Sequence, residues 1–175
     1  MSRAPAVHDH HATPSTHRSG VGAARVGIVA RIKPPAVAWL CLAAGIGLHF
    51  LLPEMRLLGW PARFIGLPVA LLGVGLMLWA VGHFERSGAP HSTQANPTTL
   101  VAGGPLRFSR NPMYLGMTGF LLGAAVFLGT APAFIAPLAF WLVIRLVFVP
   151  YEEAILEETL GEPYLEYKKR VRRWL

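Results

Sequence analysis

Cysteine is almost absent: the single Cys41 lies inside an apolar stretch, which excludes an intramolecular disulfide and any Cys-x-x-Cys metal or redox motif. Charge is scarce as well. Only 14% of the 175 residues are Asp, Glu, Lys or Arg and 53% are hydrophobic, with a mean hydropathy of +0.45, a balance that excludes an ordinary soluble domain. Also missing are base-stacking aromatics interleaved with cations on one polar face. The net charge of +7 and pI near 10.3 therefore point to anionic lipid headgroups, and nucleic acid is excluded as a partner. No apolar h-region with a small-residue cleavage pattern is found in residues 1–33, so no secretory signal is read there.

Those residues, 1–33, are rich in Ser, Thr, Pro, Gly, Ala and His and lack apolar periodicity, which predicts a disordered tail. His8, His10, His11 and His17 have the composition of a metal-binding tract, but nothing there fixes ligand geometry and no metal site is assigned. Residues 34–175 are read as one all-α integral membrane domain. A bilayer core needs ~20 helical residues, with shorter spans tolerated, and four apolar segments meet that need at 36–52, 63–84, 113–129 and 131–149. The third and fourth are joined by Gly129-Thr130-Ala131-Pro132, too short for anything but an antiparallel helical hairpin. Arg18, Arg25, Arg31 and Lys33 precede the first span, Arg86, Arg107 and Arg110 fall between the second and third, and five cations end the chain. The positive-inside rule then puts both termini and the long loop in the cytoplasm, with a bacterial inner membrane as the expected location.

Gly116, Gly119 and Gly123 recur at helical spacing on the third span, and Gly66 and Gly73 on the second, a pattern of close helix packing to which no chemistry is assigned. Residues 151–174 predict a C-terminal amphipathic helical segment. Glu152 to Leu160 suits a short helix with first-turn acids and Gly161 after it. Beyond Pro163, Tyr164, Tyr167, Val171 and Trp174 form an apolar stripe among Lys168, Lys169, Arg170, Arg172 and Arg173, the pattern of a helix lying in the headgroup layer.

Chemistry concentrates in two places. Gly103-Gly104-Pro105-Leu106-Arg107-Phe108-Ser109-Arg110-Asn111-Pro112-Met113-Tyr114 sets a basic, turn-rich loop against the start of the third span. Asn111 is a good N-cap and Pro112 suits the first helical position, while Arg110 and the free N–H groups of a helix start favour an anion such as a carboxylate. Glu152 and Glu153 close the fourth span. They complement a helix dipole, or, as a carboxylate pair, they bind an ammonium or steady a sulfonium with Tyr114 offering its ring face. Arg145, about one turn inside the fourth span, either snorkels to the surface or turns inward to order the two glutamates. His83 and Glu85-Arg86 end the second span and are candidates to line the same cavity.

The stretch from about Phe84 to the C-terminus resembles the isoprenylcysteine carboxyl methyltransferase family, which is itself similar to the phospholipid methyltransferases. The resemblance rests on Thr99-Leu100-Val101, Gly104-Pro105 with Arg107, Arg110-Asn111-Pro112-Met113-Tyr114-Leu115-Gly116, Glu152-Glu153, and Gly161-Glu162-Pro163-Tyr164-Leu165-Glu166-Tyr167-Lys168-Lys169-Arg170-Val171, in that order. It implies a membrane-embedded methyltransferase that uses S-adenosylmethionine. The residues it implies at the cofactor are Thr98, Thr99, Leu100 and Val101, Gly104, Arg110, the run Asn111, Pro112, Met113 and Tyr114, and Glu152. Glu152, Glu153 and Arg145 are the catalytic candidates. Asn111 stands where many members carry His, and Leu106 where many carry Tyr.

The methyl acceptor implied is lipophilic and reached from the bilayer, either an isoprenoid-type carboxylate or another hydrophobic small molecule. A phospholipid amine is the main alternative. An NADPH-dependent membrane reductase and a non-enzymatic membrane adaptor are the readings from other classes.

Overall fold

The computed structural model describes residues 32–53, 55–87 and 100–175. The predicted tail, apart from Ile32 and Lys33, lies outside them with its histidines, as do Thr98 and Thr99 of the loop. Five helices and a 3-10 turn at Gly104–Arg107 make up most of the described part. Helix α1 is Pro34–Leu51. Helix α2, Gly66–Arg86, is preceded by a 3-10 turn, and the two run together as Ala62–Arg86. Helix α3 is Pro112–Leu128, α4 is the long run Ala131–Leu160, and α5 is Glu162–Arg170.

Local chemistry sets the ends. Prolines at the first turns of α1 and α3 lose no hydrogen bond there and pre-set the helical φ. Helix α3 stops where Gly129 turns left-handed at φ 74°, a conformation that glycine reaches without a Cβ clash. Asn111 departs from expectation. It occupies the N-cap without a side-chain capping bond, because its amide is committed elsewhere, as described below.

The burial pattern is that of a bilayer protein. In α2 the buried residues are Gly66, Gly73 and Ala80, whereas Leu71 and Leu72 are 70% and 74% exposed. Small residues inside and large apolar ones outside are what helices adopt when lipid solvates their side chains and close van der Waals packing holds them together. Helices α2 and α3 carry this furthest. A Cβ added at Gly123 would run into the Gly66 carbonyl, and one added at Gly116 would lie 2.6 Å from the Gly73 carbonyl oxygen and 2.8 Å from the Met77 amide nitrogen. As the number rises along one helix it falls along the other, so the two are antiparallel and in backbone contact. On the far side of α3, Tyr114, Met117 and Leu121 pack with Phe140, Ile144, Phe148 and Val149 of α4 into the main core.

The structure bears on the predicted architecture at three points and corrects it at the last two. Three helices, Pro34–Leu51, Ala62–Arg86 and Ala131–Leu160, have the length and composition to cross a membrane. Helix α3, with 17 residues, reaches about 25 Å at ~1.5 Å per residue and stands at the lower limit of a spanning helix, as the predicted 113–129 segment does. Second, Pro150 does not end a span: the helix runs through it to Leu160 by way of a π-turn at Ile144–Phe148. There the Val149 amide reaches back to the Ile144 carbonyl, and the widened turn absorbs the hydrogen bond that proline cannot make. Glu152 and Glu153 therefore lie within a continuous helix, and the helix start that their first-turn role requires is absent. Third, the aromatic stripe of the C-terminal segment does not face outward. Tyr164 and Tyr167 of α5 are 2% and 4% exposed, turned onto the protein itself, and the helix gives way after Arg170.

Candidate active site

The chain direction brings four helix ends together: the start of α1, the end of α2, the start of α3 and the later part of α4. The turn before α3 is shaped by its contact with α2. His83 lies against Gly103-Gly104, where an added Cβ would meet the imidazole at 2.9 Å and 2.8 Å respectively, and Gly104 has φ 56°. The two glycines thus fit both the ring and the turn. His83 is at this end, as the sequence predicts, packed on the loop backbone.

Beyond this turn the basic loop and the two glutamates meet, and the glutamates part company. The Tyr114 hydroxyl donates to Glu152 Oε1 at 2.6 Å. One residue on, Glu153 points to a different set of partners: Arg173 Nε and Nη2 donate to its two oxygens at 3.0 and 2.6 Å, Arg110 Nη1 lies at 3.2 Å and Lys168 Nζ at 4.0 Å. Three cations surround one carboxylate that is 6% exposed. The positions four residues either side of Glu153 are Val149 and Glu157, so no cation is within helical reach and its partners had to come from elsewhere in the chain. Lys168 is held between Glu153 and Glu157.

The C-terminal residues that supply Arg173 strap the loop in place. The Arg110 amide donates to the Arg172 carbonyl at 3.0 Å, Asn111 Nδ2 to the Arg173 carbonyl at 2.9 Å, and Ser109 Oγ to the same carbonyl at 3.3 Å. The Tyr167 hydroxyl donates to the Leu106 carbonyl at 2.8 Å, and Trp174 packs against the core. Arg173, Ser109 and Trp174 were not singled out for a site from the sequence. The cations of this segment carry the pattern of headgroup ligands, and no local signal marks one of them as the partner of a buried acid.

Electrostatics follow the packing. Hydrogen bonding to Glu153 is the main cause that raises the Arg173 pKa. Burial, then the charge of Glu153, push the Tyr164 phenol up to about 12, with Arg110 pulling the other way. Burial also raises the Tyr167 phenol.

Of the remaining predicted residues, Pro112 is buried and Met113 half-buried at the start of α3, Leu100 and Val101 are half-buried in the approach to the turn, and Arg107 is exposed. Arg145 does not join the glutamates. Its exposed guanidinium lies 4.8 Å from the Trp141 ring centroid, and no carboxylate among the described residues pairs with it.

At this end of the bundle one guanidinium is left short of partners. Arg110 Nε and Nη1 are buried and make no hydrogen bond among the described residues; the 3.2 Å approach of Nη1 to Glu153 is a charge attraction without hydrogen-bond alignment. A buried guanidinium with unused N–H groups is a ready receptor for a carboxylate. Glu152, the sequence neighbour of the Glu153 that Arg110 meets, is a carboxylate suited to an ammonium or sulfonium. The donor set thus fits a zwitterionic amino-acid group.

A family model described as phospholipid methyltransferase matches residues 61–163, more than half of the chain. An uncharacterized protein of Haemophilus influenzae is 40% identical over 63 residues, covering 36% of this chain and 100% of that protein. No solved structure matches.

Proposed function

The chain belongs to the phospholipid methyltransferase family, and from that premise we propose that it transfers a methyl group from S-adenosylmethionine to a lipophilic acceptor at the cytoplasmic face of the membrane. The observation that carries the proposal is the Tyr114–Glu152 hydrogen bond, taken together with the underused guanidinium of Arg110 in the loop that leads into Tyr114. Arg110 would hold the carboxylate of the donor's amino-acid part and Glu152 its positive charge, with Asn111, Pro112, Met113, Gly104 and the segment of Thr98, Thr99, Leu100 and Val101 completing the pocket wall. When bound, S-adenosylmethionine supplies an activated methyl on a sulfonium.

The chain's own residues then supply position and dryness, which is most of what such a transfer needs. The phenolic hydrogen of Tyr114 holds Oε1 of Glu152 in one orientation. The C-terminal strap holds the loop against α4 and limits water. Glu153, saturated by Arg173, Arg110 and Lys168, fixes that strap and acts as a positioning residue. Arg145, stacked on Trp141, is left to the lipid boundary.

The acceptor reading that follows from the resemblance is an isoprenoid-type carboxylate or another hydrophobic small molecule, which needs no general base. A phospholipid amine of the phosphatidylethanolamine type is the second reading, favoured by the description of the matching family model; there Glu152 is the group in position to take the amine proton. Four helices crossing a bacterial inner membrane, with α3 crossing as a short, protein-enclosed span and both termini cytoplasmic, is the topology we favour, on the cation distribution.

The test is binding of S-adenosylmethionine to the purified full chain in detergent. Tyr114→Ala and Glu152→Ala are expected to weaken it, and S-adenosylhomocysteine but not NADPH should displace it. Unchanged affinity in both variants overturns the site. A transfer screen against prenylated thiol acids, phosphatidylethanolamine and small thiols sorts the acceptors.

A further inference from the structure

At the opposite end of the bundle, α1, the start of α2 and the end of α3 close around a cavity of about 260 Å³ whose polar lining is His49, Arg56 and Arg63, with Trp60 and Leu128 among its apolar walls. It is remote from the site above: Tyr114 and Leu128 are separated by about 21 Å along α3 at ~1.5 Å per residue. Nothing in the proposed methyl transfer uses it.

Among the described residues, the two arginines lack the partners that the cations of the other end possess. Arg63 Nε is buried and makes no hydrogen bond among the described residues; its guanidinium is held 5.4 Å from the Phe127 ring centroid. No carboxylate among the described residues lies within ion-pair distance of Arg63 or Arg56. Placing a cation at a lipid boundary is costly without an anion to meet it. The backbone around Arg56 is also pinned. Arg56 bridges Thr130 in antiparallel fashion, while the Leu57 and Leu58 amides donate to the Gly129 carbonyl at 2.9 and 3.1 Å and the Ala131 amide to the Met55 carbonyl at 2.8 Å. His49 Nδ1 sits 3.1 Å from the hydroxyl of buried Thr130, which fixes the ring at the cavity wall.

We propose that this cavity binds a phosphate group, held by Arg56 and Arg63. Guanidinium groups match phosphate oxygens in charge and geometry, and the paired N–H edge of each arginine can engage two oxygens. The surroundings fit a lipid as the source. Leu57 and Trp60 of the lining are 62% and 74% exposed, the apolar and aromatic collar found at a membrane interface. The volume is below the ~300–1,000 Å³ of pockets that swallow a whole small molecule, so a headgroup enters and the chains lie along the collar.

The experiment is calorimetric titration of the full chain in detergent with three probes: dihexanoyl phosphatidylglycerol, dihexanoylglycerol and inorganic phosphate. Saturable binding of the phosphatidylglycerol is expected, weakened about tenfold or more in Arg63→Gln and in Arg56→Gln, as for loss of a charge-assisted hydrogen bond. Arg56 is exposed, so its variant keeps the test open should Arg63→Gln fail to fold. Inorganic phosphate binding as tightly as the lipid supports the site and assigns it to soluble phosphate. Equal binding of dihexanoylglycerol, no binding of either phosphate probe, or unchanged affinity in Arg56→Gln overturns the proposal.

Discussion

Tyr114 and Glu152 meet across two helices through a 2.6 Å hydrogen bond in which the phenol donates to Oε1. The bond ties the first turn of α3 to the later part of α4, so the carboxylate is aimed by a residue that directly follows the loop that would hold the methyl donor. Tyr114→Phe removes the donor while keeping the ring, and Glu152→Gln keeps the shape while removing the charge. Both are expected to lower S-adenosylmethionine affinity by roughly 10- to 100-fold, the range for a hydrogen bond to a charged group, with Glu152→Gln the larger. Equilibrium binding in detergent checks the order.

Glu153 should behave differently. It is buried and answers three cations, so Glu153→Gln leaves Arg110 and Arg173 facing a neutral amide. A loss of about 3 kcal/mol in stability is expected, as for breaking a buried ion pair. Arg173, whose side chain is 40% exposed, can turn to water when its partner goes, so Arg173→Met should cost less. Unfolding in mixed detergent micelles measures both.

The glycines of α2 and α3 give a sharper contrast. An added methyl at Gly116 meets backbone of α2 at 2.6 Å, whereas one at Gly75 meets nothing within 4 Å. Gly116→Ala is expected to destabilise the bundle by about 1–3 kcal/mol, as overpacking does. Gly75→Ala should be neutral or stabilising by up to ~1 kcal/mol, from helix propensity.

Alkaline titration tests the burial of the C-terminal helix. Tyr164 ionises near pH 12 in the folded chain instead of 10. Its raised pKa means that the folded state keeps the proton longer than the unfolded one, so its contribution to stability is full below pH 10 and is lost as pH rises from 10 through 12. Tyrosinate absorbance should show a late-ionising phenol, and Tyr164→Phe should delete that increment.

How far the sequence reached is clear from these same residues. Apolar segments, helix-spaced glycines and the Gly129 turn are local patterns, and each appears in the fold near its predicted place. The meeting of the 103–114 loop with the end of the fourth apolar segment also followed from antiparallel topology. What escaped was non-local. Pro150 reads as a stop because proline lacks an N–H, and only the π-turn before it, which depends on packing, lets the helix pass. Arg173 reads as a lipid-facing cation because nothing nearby in sequence reports a buried carboxylate twenty positions earlier. Tyr164 and Tyr167 form a valid amphipathic stripe, and periodicity does not say whether such a stripe meets lipid or protein.

The π-turn at Ile144–Phe148 also acts as a clockwork offset. Successive residues of an α-helix step by about 100° around the axis, so the widened turn sets the azimuth of everything beyond it. Wound as a regular α-helix, the same residues would advance by roughly one position around the axis, carrying Glu152 to the bearing now held by Glu153 and away from the tyrosine. One irregular turn thus decides which of two neighbouring, chemically identical acids looks into the reaction site and which is locked into the scaffold.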